Sequence, residues 1–215
     1  MSGCLQEFPL TVAQEKYHVK NPLVAFLIRR FFRRIAGVLG GVAPESVLDA
    51  GCGEGELLRR GVLTGARTVS LDRSHQALAE IRTHTHACRP VSGSVLELPF
   101  ARASFDAVVC LEVLEHLDDP TAAVEELLRV ARRAVVLSVP YEPWFRLGNL
   151  LRGKYLSGLG NHPEHIQHWN PRRFRTFLAA TGCEAMVVEA FPWIVACLRP
   201  RPFSNAADVP NRANQ

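Results

Sequence analysis

Apolar positions along the chain follow two periods in turn. Short runs with strand character are SVLDA at 46–50, TVSLD at 68–72, the weak RPVSG at 89–93, FDAVVCLE at 105–112 and AVVLSVP at 134–140. Between them the spacing changes to three and four residues, which predicts helices near 55–62, 74–84 and 120–131. Upstream, Val24, Leu27, Ile28, Phe31, Ile35 and Val38 form one stripe at helical spacing, predicting a helix over 22–39. Phe26, Arg29, Arg30 and Arg33 fall on the rest of its surface. A last helix is expected from Pro171, capped by Asn170 and stopped by Gly182. EAMVVEA and WIVACLR, on either side of Phe191-Pro192, then read as an antiparallel hairpin.

Alternating strands and helices predict an α/β fold: a Rossmann-like, doubly wound, mostly parallel sheet of seven strands whose last strand is antiparallel. Such sheets place a ligand crevice at the C-terminal ends of the first strands. Three segments are expected: 1–21, a single domain over 22–199 with an insertion at 141–169, and a polar tail at 200–215 expected to be disordered.

Composition narrows the partners. A formal net charge of +4 is too weak a balance to argue for nucleic acid. Six cysteines without a CxxC pair suggest reduced, buried thiols and a cytoplasmic setting. No signal-peptide pattern and no 18-residue apolar run are read, so no membrane span is expected. Oligomeric state is not legible.

The chemistry centres on VLDAGCGEGELL at 47–58. Gly51, Gly53 and Gly55 let a ligand approach the backbone closely. A dinucleotide fingerprint needs G-x-G-x-x-G, and here the third glycine comes one place early, with Glu56 where the last should be. Asp49, Glu54 and Glu56 repel a pyrophosphate and suit a positively charged ligand. Asp72, at the end of the second strand, is placed to accept ribose hydroxyls.

VLDAGCGEG, VSLDRS, GSVLELPFARASFDAVVCLEVLEHLDDP and LSVP together resemble the class I S-adenosylmethionine-dependent methyltransferases, over about residues 45–140. The resemblance implies S-adenosyl-L-methionine as cofactor. Gly51, Cys52 and Gly53 would pass under the methionine part, with Asp49 orienting the loop and Asp72, next to Arg73, on the ribose. Ser94 stands where the family often has an acid, so the adenine contact is assigned to Ser94 and Val95 and their backbone. Cys110 and Leu111 would lie beside the methionine moiety.

In CLEVLEHLDD, Glu112, Glu115 and His116 would share one face of a helical turn, and HPEHIQHWNP adds His162, His165 and His168 before the last helix. The E-x-x-E-H pattern resembles metal-dependent small-RNA 2′-O-methyltransferases and quinone-biosynthesis O-methyltransferases. It implies a divalent cation on Glu112, Glu115, His116 and His165, with manganese, iron or zinc favoured over magnesium. Without a metal, His116 is the expected general base, with Glu112 beside it.

The leading function is methyl transfer to oxygen of a small-molecule or lipid-like acceptor. The alternatives are a metal-dependent RNA 2′-O-methyltransferase and a non-catalytic S-adenosylmethionine-binding protein. A nicotinamide dehydrogenase is disfavoured by the acidic loop. Tyr141, Trp144, Phe145, Arg146, Arg152, Lys154 and Tyr155 mix aromatic surface with positive charge on the acceptor side.

Overall fold

The computed structural model describes residues 21–84, 88–142, 144 and 165–201. Phe145, Arg146, Arg152, Lys154, Tyr155 and His162, together with residues 1–20 and the tail from 202, lie outside the described residues.

The elements are α1 (Pro22–Val42), β1 (Ser46–Ala50), α2 (Glu56–Arg59), β2 (Arg67–Asp72), α3 (His75–His84), β3 (Cys88–Ser92), β4 (Phe105–Leu111), a 3-10 turn (Leu114–His116), α4 (Pro120–Val130), β5 (Ala131–Pro140), α5 (Pro171–Ala180), β6 (Glu184–Ala190) and β7 (Trp193–Arg199). The strands form one seven-stranded sheet in the order β3-β2-β1-β4-β5-β7-β6. β1 pairs in parallel with β2 and β4, and β7 runs antiparallel between β5 and β6. The expected mostly parallel sheet with an antiparallel last strand is therefore present, and the chain order reverses direction at β1.

Alternation along the strands separates two apolar layers. Val47, Ala107, Val109 and Val136 face Ile28, Phe31, Phe32, Ile35 and Leu39 of α1 and Leu57 of α2. Leu48, Val108, Val135 and Leu137 face Val124 and Leu127 of α4 and Phe174 and Leu178 of α5. The buried stripe of α1 thus takes in Phe32 and Leu39, while Val24, Leu27 and Val38 lie at its margins.

Local chemistry sets the helix ends. Asn21 accepts the N–H of Leu23 and Val24, Asp119 accepts that of Ala122, and Asn170 accepts that of Arg173. Each cap precedes a proline, whose missing N–H costs nothing in the first turn. The expected helix near 55–62 shrinks to one turn, because the chain leaves it at Gly61, where φ is 66°.

Candidate active site

β1 ends in the glycine loop at the C-terminal edge of the sheet. The N–H groups of Gly51 and Cys52 both donate to the carbonyl of Leu71, at 2.7 and 3.0 Å, so the loop is tied across to the end of β2. Its glycines differ in what requires them. A Cβ on Gly51, at φ 74°, would overlap Cγ2 of Val113. At Gly55, φ 79°, a Cβ would press Ile81. At Gly53, φ 51°, nothing lies within 4 Å, so the loop apex faces open space. This is the surface on which a ligand can approach the backbone.

Two carboxylates flank that apex. Asp72 accepts the N–H of Gly53 through Oδ2 and that of Ser74 through Oδ1, both at 2.8 Å. Each oxygen keeps a further lone pair for a hydroxyl donor. Asp49 is 3% exposed, and burial, with the Asp72 charge beside it, pushes its carboxyl up to about 7. Burial pushes the Cys110 thiol up, and the charges of Glu115 and Asp49 push it further. Burial, Asp49 and Asp72 likewise raise Cys52. Neither thiol is primed as a nucleophile, and the pocket floor is negative. The residues present fit a ligand carrying positive charge.

Around the loop, Arg73 is exposed, and Leu111 is partly buried against the α1-side layer. Ser94 and Glu97 close a tight turn in which the Ser94 hydroxyl accepts the N–H of Leu96, with Val95 buried beneath. This turn is held from the other side by residues the motifs did not single out. Glu126 accepts the N–H of Leu98, while Arg129 donates to the carbonyls of Leu98 and Phe100.

The acidic segment after β4 is not a helical turn from Glu112 onward. Glu112 has φ 57°, and only Leu114–His116 form a 3-10 turn. The Glu112 side chain turns to the sheet, where Oε1 accepts the Ser138 hydroxyl at 3.2 Å and Oε2 accepts the Trp193 indole N–H at 2.9 Å. The other three expected ligands do converge. Glu115, His116 and His165 each offer one ligand atom, all within 4.8 Å of one another. Glu115 is fully buried, and its carbonyl accepts the N–H groups of Ile166 and Gln167, at 2.8 and 3.0 Å. That backbone clamp brings His165 to the turn, with its ring 4.9 Å from the His116 ring. Val113, packed on Gly51, joins this turn to the glycine loop.

One participant has no motif at all. Glu142, 4% exposed, lies 2.6 Å from Nδ1 of His165 through Oε1 and 3.9 Å from Nδ1 of His168 through Oε2. Its own N–H donates to the Trp169 carbonyl. A carboxylate on Nδ1 fixes the imidazole's tautomer and leaves Nε2 to act elsewhere.

Residues 48–139 match the family model described as a methyltransferase domain. A ubiquinone biosynthesis O-methyltransferase of Alkalilimnicola ehrlichii is 32% identical over 155 residues, 63% of this chain and 62% of that protein. A probable S-adenosylmethionine-dependent methyltransferase of Mycobacterium tuberculosis is 34% identical over 113 residues, 51% of this chain and 41% of that one. A demethylmenaquinone methyltransferase of Beutenbergia cavernae is 32% identical over 133 residues, covering 60% and 55%. The chain thus spans between 41% and 62% of the length of these relatives. Among solved structures, the methyltransferase domain of bacterial CtHen1-CN superposes with a TM-score of 0.64 at 22% identity, covering 80% of this chain and 99% of that one. Magnesium protoporphyrin IX methyltransferase from Synechocystis, solved with SAH bound, gives 0.62 at 19%, covering 85% and 89%. At these identities the likeness concerns the fold. With the motif order, the strand order and the matched segment in agreement, residues 48–139 are a methyltransferase domain, on the fold of the class I S-adenosylmethionine-dependent methyltransferases.

Proposed function

We propose that this chain transfers a methyl group from S-adenosylmethionine to an oxygen of a small-molecule or lipid-like acceptor. The observation that carries it is the packing of the Gly51 loop on Val113, which sets the cationic-ligand pocket beside the Glu115, His116 and His165 group. The names of the quinone-pathway relatives point to the same acceptor class.

In this reading Gly51, Cys52 and Gly53 supply the backbone surface under the cofactor, and Asp49 supplies countercharge. Asp72 takes the ribose hydroxyls, and the Ser94–Val95 turn borders the adenine. The cofactor brings an already activated methyl, so the chain's work is alignment and removal of the acceptor's proton. His116 takes that proton, and Glu142 holds His165 in register next to it. Glu115, His116 and His165, one carboxylate and two imidazoles, would hold a divalent cation of the manganese, iron or zinc type, which when bound lowers the pKa of a coordinated hydroxyl. Glu112, bonded to Ser138 and Trp193, braces the turn.

The test supplies label-bearing S-adenosylmethionine with catechols bearing isoprenoid tails and, separately, a short RNA, each with manganese and with EDTA. Label on a catechol oxygen is the expected product. Label on the RNA would favour the 2′-O-methyltransferase reading, and binding without turnover in any arm would make the protein a non-catalytic binder.

A further inference from the structure

Among the described residues, one side of α1 faces away from the sheet. Its buried residues are Ile28, Phe31, Phe32, Ile35 and Leu39. Opposite them, Leu23 is 64% exposed and Phe26 51% exposed, and Arg29, Arg30, Arg33 and Arg34 are all exposed. Phe26, Arg30 and Arg33 follow at i, i+4 and i+7, so they form one row. The helix contains no acidic residue. Its four arginines equal the formal net charge of the whole chain, +4.

The fold also fixes where this face points. Phe31 stacks on Trp193, ring centroids 4.6 Å apart, and Trp193 pairs with Pro140 at the end of β5. At the other end, Arg133 near the start of β5 donates to the Ala43 carbonyl. α1 therefore runs antiparallel to β5, and at 1.5 Å per residue Leu23 stands about 12 Å beyond Phe31, past the strand's end. That is the sheet edge carrying the glycine loop. The same edge bears a second exposed apolar pair, Trp144 at 46% and Phe191 at 40%, whose rings meet edge to face at 5.4 Å.

We propose that this edge of the protein docks on an anionic lipid surface, with the α1 arginines on the headgroups and Leu23, Phe26 and the Trp144–Phe191 pair entering the interface. Arginines without acids supply the attraction, and large apolar side chains gain by leaving water for the headgroup boundary. A nucleic acid backbone would satisfy the arginines but leave Leu23 and Phe26 in water, so the lipid surface is the better fit. Among the described residues no helix is long and apolar enough to cross a membrane. Docking at this edge would face the pocket toward the bilayer, from which a lipid-like acceptor could be drawn. Lipid binding itself does not depend on the methyl-transfer reading.

The experiment is co-sedimentation of the full chain with vesicles of mixed phosphatidylglycerol and phosphatidylcholine, with phosphatidylcholine alone, and with the mixed vesicles in competition with a short RNA. The wild type should bind the mixed vesicles and release as salt rises from about 0.05 to 0.5 M. Arg30→Gln with Arg33→Gln should weaken binding about fivefold per arginine, about 25-fold for the pair. Leu23→Ser with Phe26→Ser should weaken it while leaving S-adenosylmethionine affinity by calorimetry unchanged, which controls for folding. No binding to anionic vesicles overturns the proposal. So does wild-type partition in both variants, or RNA binding that excludes vesicles and ignores the Leu23/Phe26 change.

Discussion

Asp49→Asn isolates the electrostatics of the glycine loop. In the fold the Asp49 carboxyl is raised from 3.8 to about 7, by burial first and then by the Asp72 charge. A carboxyl raised on folding favours the protonated state in the native protein. The stability tied to that proton is complete at low pH and is lost as pH rises through about 7. Between the unfolded and folded values the single proton gives a slope of about 1.4 kcal/mol per pH unit. Integrated from about pH 5 to about pH 8, the ligand-free protein should lose on the order of 2.5 kcal/mol through Asp49 alone. The assay is urea denaturation of the ligand-free wild type and Asp49→Asn at several pH values. All other titrating groups are common to both proteins, so the difference curve reads Asp49. The variant should gain on the wild type by that amount between the two ends. A flat difference curve would show that folding leaves the Asp49 carboxyl where it is in the unfolded chain. The ligand should show the opposite sign. A cation prefers ionised Asp49, whose fraction rises roughly tenfold between about pH 6 and pH 8. S-adenosylmethionine affinity should rise in proportion in the wild type and stay level in Asp49→Asn.

Asp72→Ala removes the acceptor of the Gly53 and Ser74 N–H groups along with the expected ribose contact. It should weaken S-adenosylmethionine binding at least tenfold by calorimetry, since each charge-assisted bond is worth about 1.5–3 kcal/mol; unchanged affinity would remove Asp72 from the site. Glu142→Gln keeps the shape around His165 and removes the charge at 2.6 Å. Turnover should fall about 10- to 100-fold with cofactor affinity unchanged, and the His165 ring should change tautomer population by nitrogen NMR; an unaltered tautomer would leave Glu142 a structural residue only. Manganese titrated into the wild type should bind with an affinity that Glu115→Gln or His165→Ala abolishes, and activity should collapse in EDTA. Full activity in EDTA with no metal by elemental analysis would leave His116 as a simple base. Gly51→Ala should lower stability by urea melt more than Gly53→Ala, because a Cβ at position 51 overlaps Val113 on top of the left-handed backbone strain that both positions carry.

What was legible in the sequence was what is local. The β1 strand, the glycines and Asp72 all lie between positions 46 and 72, and each announces itself by residue type and spacing. The α5 cap was read from Asn170 and Pro171 and is present. The ligand group was legible in composition but not in geometry. Glu112 carries a helix-like spacing to Glu115 and His116, yet its left-handed backbone and its bonds to Ser138 and Trp193 take it out of their row. Those partners lie 26 and 81 residues away, so no local pattern encodes them. Glu142 was invisible for the same reason: a lone acid just after β5 acquires its role only when the Glu115 carbonyl clamps the chain at Ile166 and Gln167. The Glu126–Arg129 brace looks like an ordinary helix i,i+3 pair and reveals its second task only against the Leu98 loop. The stripe of α1 was one step narrow, because burial of Phe32 and Leu39 depends on how the helix rolls onto the sheet.

Selection of a cationic adenosyl ligand by the acidic glycine loop is measured by calorimetric titration at neutral pH. S-adenosylmethionine should bind one per chain and NAD should show no heat of binding, because Asp49, Glu54 and Asp72 oppose a pyrophosphate, whereas Glu56 is paired with Arg59 and Arg60. Saturable binding of NAD, or no binding of S-adenosylmethionine to folded protein, would contradict it.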